Sequence, residues 1–160
     1  IYTGEDTLSL HDALPISILS EDLVSVKTHP GWKNTKYLGV LSSEEIYKEY
    51  KENTIGLILF NNVGQYYMAY SLKLFEYMQN GMIVLMPNFG DWLKFNDSYN
   101  VGFNVDSTNV SEIVSVINGI DEEELASYSM RNQKLAADEF TWLSQEKKLI
   151  NIYKELMDDR

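Results

Sequence analysis

Two uninterrupted apolar runs, residues 55–60 (IGLILF) and 82–86 (MIVLM), stand on either side of one helical pattern. Apolar runs of this length, with no polar alternation, suit strands covered on both faces. Between them, Ser71 offers a helix cap and Gly81 a stop, so a helix is predicted over 72–80. Strand, helix, strand in that order makes a βαβ unit, and two such strands lie parallel. The rest of the pattern extends the unit. A short strand is predicted over 36–41 (KYLGVL), interrupted by Gly39. A helix over 44–52 follows, capped by Ser42 or Ser43, with Glu44 and Glu45 in its first turn and Ile46, Tyr47 and Tyr50 on one face. Residues 61–70 read as loop, 88–98 as loop with one helical turn at most, and 102–105 as a strand. Three helices close the chain, over 110–117, from the cap Asp121 to 138, and from the cap Thr141 to 157. The expected fold class is α/β, a Rossmann-like parallel sheet with flanking helices. Ligands of such sheets bind at the carboxyl ends of the strands, so the loops after Phe60 and Met86 should border any site.

A chain of 160 residues fits one domain. Its 44% hydrophobic and 12% aromatic content sustains a core and excludes a disordered acidic tail, in spite of a formal charge of -11. That charge, with no basic cluster against it, opposes binding to nucleic acid or to an anionic membrane. No apolar run approaches the roughly 18 residues of a membrane span. The absence of cysteine removes disulfides, thiolate metal sites and thiol nucleophiles. Of the two histidines, His11 and His29, the latter in THPGW has no GxSxG nucleophile to serve. The acids from Asp121 to Glu124 read as the start of a helix and not as a metal site.

The first sixteen residues read differently from the rest. They show no helical or strand periodicity, and 7–16 (TLSLHDALPI) resemble the translation of a sequencing adapter, ACT CTT TCC CTA CAC GAC GCT CTT CCG ATC. Residues 1–16 are therefore expected to be non-native, and the natural sequence to begin at Ser17, within a longer gene. Without Glu5, Asp6 and Asp12 the formal charge becomes -8, and His29 is the remaining histidine.

The segment 66–81, YYMAYSLKLFEYMQNG, carries a resemblance. The string from Ser71 to Met78, then Gly81 and an apolar strand, resembles family 4 (group 1) glycosyltransferases, in the C-terminal, donor-binding half of their GT-B fold. The flanks agree from about Lys36 to Met157: Tyr37-Leu38-Gly39 before a serine- and glutamate-capped helix, and Phe140-Thr141-Trp142 opening the last helix. The resemblance implies that residues 17–160 are part of a nucleotide-sugar-binding domain. The parent enzyme would be a retaining hexosyltransferase, moving a hexose from a UDP- or GDP-sugar to a glycan or lipid-linked acceptor without a metal. It implies amides of Leu72 and Lys73 at the Ser71-capped helix start, with the Lys73 side chain, facing the diphosphate. It implies Glu76 accepting both ribose hydroxyls, and Val40 or Leu41, just after Gly39, contacting the base. The family's wider membership has a glutamate eight residues before the ribose-binding one; Met68 stands there. The family's diphosphate-clamping basic residues and its acceptor domain lie upstream, so the catalytic residues are unassigned and these 160 residues alone are expected to be inactive. The expected location is cytoplasmic, peripheral at the inner membrane face through the missing half.

Each of these residues also has a plainer reading. Ser71 caps a helix with or without a ligand. Lys73, Glu76 and Asn80 form a stripe at helical spacing that solvent alone would explain. Leu74, Phe75, Tyr77 and Met78 read as core. Phe89 and Trp92 read equally as cleft lining and core cover. A stand-alone α/β ligand-binding or signalling module is the alternative function. A receiver-like module would need acids at the strand ends, where Asn61, Asn62, Pro87 and Asn88 stand, and a dinucleotide fold would need a GxGxxG that does not occur.

Overall fold

The apolar runs meet side by side. In the computed structural model, which describes residues 27–158 and the backbone of two short pieces near the start, β3 (Ile55–Leu57), β4 (Ile83–Pro87) and β5 (Gly102–Val105) form a parallel sheet. Ile55 lies opposite Ile83, and Val84 opposite Gly102. The two pieces, β1 (Tyr2–Thr3) and β2 (Thr7–Leu8), extend the sheet antiparallel in the order β2-β1-β3-β4-β5. Residues 1–16 were expected to carry no strand. An open edge such as that of β3 offers unpaired backbone groups to any extended segment, whatever its side chains. The rest of the expected adapter-derived segment and the Ser17 junction lie outside the described residues.

Six helices accompany the sheet among the described residues: α1 (Ser43–Lys51), α2 (Leu72–Gln79), α3 (Gly90–Tyr99), α4 (Val110–Gly119), α5 (Glu122–Glu139) and α6 (Trp142–Asp158). Their starts follow local chemistry. Ser42 and Asp121 each close a capping box, with Glu45 and Glu124 respectively, and Asn109 accepts the Glu112 amide. This is the α/β, Rossmann-like arrangement expected from the order of elements.

β4 shows why its run is wholly apolar, since every one of its residues is buried. Val84 and Met86 face a cluster with Tyr50, Leu74, Tyr77, Met78 and Trp92. Ile83 and Leu85 face a second cluster with Ile55, Val105, Ile113 and Ile117. The period of two along the strand divides one run between two cores. On β3, Gly56 lies under the Tyr77 ring: a Cβ there would fall 2.2 Å from Tyr77 Cδ2. The missing side chain is what lets α2 settle onto the sheet.

Four elements differ from expectation. Residues 36–41 are not a strand. Gly39 has φ +69°, and Val40 is 91% exposed, so the backbone turns out of the extended region and the apolar side chains find no sheet to cover. The strand in IGLILF ends at Leu57, although Ile58 remains buried and its amide still donates to Leu85 O. Residues 88–98 hold a full helix, α3. Phe89 makes no side-chain cap bond, so the usual start signal is missing, while Asn100 closes the helix in the left-handed region at φ 49°. Its register is set by tertiary burial of Trp92 and Phe95. Pro87, expected to stop β4, is instead its last paired residue, opposite Val105.

Candidate functional site

Because β3 and β4 are parallel, the helix between them runs back along the sheet, and α2 begins on the carboxyl side of the strands. Ser71 Oγ accepts the Lys73 amide at 3.3 Å, and Ser71 O accepts that of Leu74 at 3.1 Å. Leu72 is exposed, Lys73 half-buried. The first amides of any helix lack intrahelical acceptors, so this end carries partial positive charge.

Glu76, half-buried on the second turn, is not left to solvent. Its Oε2 accepts the Tyr50 hydroxyl of α1 at 3.1 Å, while Oε1 takes no hydrogen bond among the described residues. Tyr50 is 1% exposed, with its ring edge-on to Tyr77 at 5.5 Å. Burial first, and then the nearby Tyr77 and Glu76, push its phenol well above the usual range, so it stays a donor at any ordinary pH. Asn80 Nδ2 donates to Glu76 O at 2.8 Å, a bond internal to the helix.

The loop after β3 is moored to α3. Trp92, fully buried, donates its Nε1 hydrogen to Tyr66 O at 2.9 Å, and Tyr70 donates its hydroxyl hydrogen to Asp91 O at 3.1 Å. Phe60 stacks on Tyr66 at 4.5 Å, and Tyr67 on Phe89 at 6.2 Å. Trp92 is therefore core, while Phe89 is half-buried beneath the loop. Met68 ends the short 3-10 helix Gly64–Tyr67 and is 70% exposed. Farther along the carboxyl edge, Asn61 Oδ1 accepts the Ser107 hydroxyl at 3.1 Å, joining the loops after β3 and β5 across the end of β4. Asn104 Nδ2 donates to Pro87 O at 2.7 Å. Lys94 is paired with Asp91 at 2.7 Å, which raises its pKa.

The structure thus brings Ser71, Lys73 and Glu76 onto one short helix and adds Tyr50 to Glu76. Val40 and Leu41 stand before α1, on the far side of Ser42, with Val40 exposed and Leu41 half-buried. His29 caps the 3-10 helix Pro30–Asn34, its Nδ1 accepting the Gly31 amide at 3.1 Å. No group of three or more histidine, aspartate or glutamate side chains capable of holding a metal ion occurs among the described residues. Nor is any helix among them long and apolar enough to cross a membrane. An open cavity of about 350 Å³ lies elsewhere, between α3 and α5, lined by Ser98, Arg131, Lys134 and their neighbours. Sequence reasoning placed Tyr50 on a helix face but not against Glu76. The available signal was that a buried tyrosine hydroxyl needs an acceptor; which acceptor depends on how α1 packs.

No protein-family model matches this sequence, and no curated protein does.

Proposed function

We propose that these residues bind a nucleoside-diphosphate sugar, as the donor half of a metal-independent, retaining GT-B hexosyltransferase resembling family 4 (group 1), which transfers the hexose to a glycan or lipid-linked acceptor. The observation that supports this best is the geometry of α2. A Ser71-capped helix start and a half-buried carboxylate on the second turn occupy one element at the carboxyl edge of a parallel sheet. The diphosphate meets the amide of Leu72 and, in exchange for the Ser71 hydroxyl to which it now donates, that of Lys73, where the helix end favours an anion and the Lys73 ammonium adds charge. The ribose meets Glu76. Tyr50 holds Oε2, which fixes the carboxylate and leaves Oε1 to accept a hydroxyl. Val40 and Leu41 offer backbone to the base. Met68 brings no acid to the sugar, so the sugar side of this site recognises its ligand without the carboxylate found in the wider family.

The test is calorimetric titration of the full chain with UDP, GDP and NAD. One of the two diphosphates is expected to bind, and NAD is not. Glu76→Ala should weaken that binding at least tenfold, the scale of a lost charge-assisted hydrogen-bond pair. Tyr50→Phe, which leaves the carboxylate in place, should weaken it less. Binding of neither diphosphate, or binding that survives Glu76→Ala, overturns the reading, and preferential binding of NAD favours a different α/β module.

A further inference from the structure

The sequence contains two Asn-Gly pairs, Asn80-Gly81 at the end of α2 and Asn118-Gly119 at the end of α4. In such a pair the following backbone nitrogen reaches the asparagine side-chain carbonyl readily, because glycine has no Cβ to hinder the approach and turns easily. The structure treats the two pairs differently. Around Asn80 the backbone is tied down. Its amide donates to Glu76 O at 3.2 Å and Tyr77 O at 3.1 Å, that of Gly81 to Met78 O at 3.0 Å, and that of Met82 to Tyr77 O at 3.0 Å. The Asn80 side chain donates to Glu76 O at 2.8 Å, and Gly81 is buried, with Ser129 Oγ and Gln133 Nε2 filling the place of a Cβ. Asn118 and Gly119 are both exposed. The Asn118 side chain makes no hydrogen bond among the described residues, and a Cβ on Gly119 would meet nothing within 4 Å. Beyond this pair the helix is closed by one long bond, from the Ile120 amide to Ile117 O at 3.4 Å, and no basic side chain in the last turn complements its negative end.

We propose that Asn118 is a site of spontaneous modification, deamidating through a succinimide to aspartate and isoaspartate, while the fold protects Asn80. The Gly119 nitrogen gives up its proton to solvent base and attacks Asn118 Cγ. A Cγ–N bond forms, the side-chain amide C–N bond breaks, and ammonia leaves with a proton taken from water. Water then opens the ring. Opening at Cγ restores the main chain and leaves an aspartate; opening at the Asn118 carbonyl carbon routes the main chain through the side chain, as isoaspartate. Water is the co-reactant throughout. In a regular helix the glycine amide donates four residues back, so the last turn must open before the attack. Helix ends open at far lower cost than buried segments, and a glycine as last helical residue lowers the cost further. At Asn80 the same opening would have to lift Gly81 and Met82 out of the core. The reaction is internal to two adjacent residues and needs no partner. Its product sets a carboxylate at the negative end of α4, just before the acids from Asp121 to Glu124, which holds the modified turn looser than the original.

Peptide mapping by tandem mass spectrometry reads this directly, on the full chain held folded at physiological temperature and mildly alkaline pH. Asn118 is expected to convert at least about tenfold faster than Asn80, with isoaspartate as well as aspartate in the product. In urea, where neither helix persists, the two sites should convert within a factor of about three of one another. Gly119→Ala is the variant test. Gly119 is outside the left-handed region and has room for a methyl, so the substitution strengthens the helix end and hinders the attack. It should slow conversion of Asn118 at least about tenfold and leave the urea midpoint unchanged or raised. Conversion of Asn118 no faster than that of Asn80 in the folded chain overturns the proposal. So does a folded-state ratio no larger than the ratio in urea, or conversion indifferent to Gly119→Ala.

Discussion

Asn132 is the most exacting test of how this fold is held. It lies on α5 with no exposed surface, and its Nδ2 donates to Met82 O at 2.8 Å and to Val101 O at 2.9 Å. One side chain thus ties the segments entering β4 and β5 to the helix above them. Asn132→Leu keeps the shape and removes both bonds. Val101 O retains the Val84 amide at 3.3 Å, so that loss should cost about 1 kcal/mol. Met82 O accepts no other hydrogen bond among the described residues, and stranding it in the core adds about 1–3 kcal/mol. The wild-type Asn132 Oδ1 is itself buried without a partner, so its removal returns part of this. The expected net is about 2–3 kcal/mol, or roughly 4–12 °C in melting temperature for a chain of this size. Asn132→Asp sharpens the test, because it turns one donor into a carboxylate facing two carbonyl oxygens. Burial raises the folded pKa of that acid above the unfolded value of about 3.9. Its penalty is therefore smallest below about pH 3, where both states are protonated, and grows as pH rises from the unfolded value to the folded pKa. Urea unfolding followed by tryptophan fluorescence, each variant against wild type at the same pH, supplies the numbers. An Asn132→Leu protein within about 0.5 kcal/mol of wild type would refute the reasoning. So would an Asn132→Asp penalty that is the same at pH 5 and pH 7.5.

Two further outcomes follow from the same geometry. Gly56→Ala should destabilise by about 1–3 kcal/mol through overpacking against Tyr77, and Gly56→Ala with Tyr77→Leu should show strong positive coupling in urea unfolding, since the second change removes the ring that the new methyl strikes. Asp106 accepts the Thr108 hydroxyl at 2.7 Å and the Thr108 amide at 2.9 Å, which lower its pKa below the ordinary carboxylate range. The stability from this turn is present above the ordinary range and fades as pH falls through the lowered value; Thr108→Val should move the Asp106 titration upward in a carbon-detected NMR experiment.

Much of the fold was legible wherever local chemistry and burial agree. MIVLM and the first half of IGLILF are apolar because the sheet is covered on both faces, and that requirement shows in composition whatever packs on it. Ser42, Ser71, Asp121 and Thr141 act within a few residues of themselves, so a cap can be read from its own neighbours. The failures lie where the deciding partner is distant. KYLGVL looks like a strand in isolation, but no strand among the described residues pairs with it. α3 lacks a side-chain cap and reads as loop, yet Asp91 and Trp92 bond to the loop 21–26 residues earlier, and Trp92 and Phe95 fill the core beneath. At the candidate site, Ser71, Lys73 and Glu76 could be placed on one helix from spacing alone.

By itself, the sequence determined that the chain alternates buried strands with capped helices, carries strong negative charge, and holds a serine, a lysine and a glutamate on one helical segment. Periodicity, capping and charge are properties of near neighbours, so they survive without coordinates. Only the tertiary structure decided that Tyr50 presents its hydroxyl to Glu76, that Gly56 makes room for Tyr77, that Asn132 ties the segments entering β4 and β5, and that a face of α6 stands uncovered among the described residues. Each joins residues 21 or more positions apart, or depends on what fails to pack there. Such relations arise from the path of the chain in space, which no local pattern encodes.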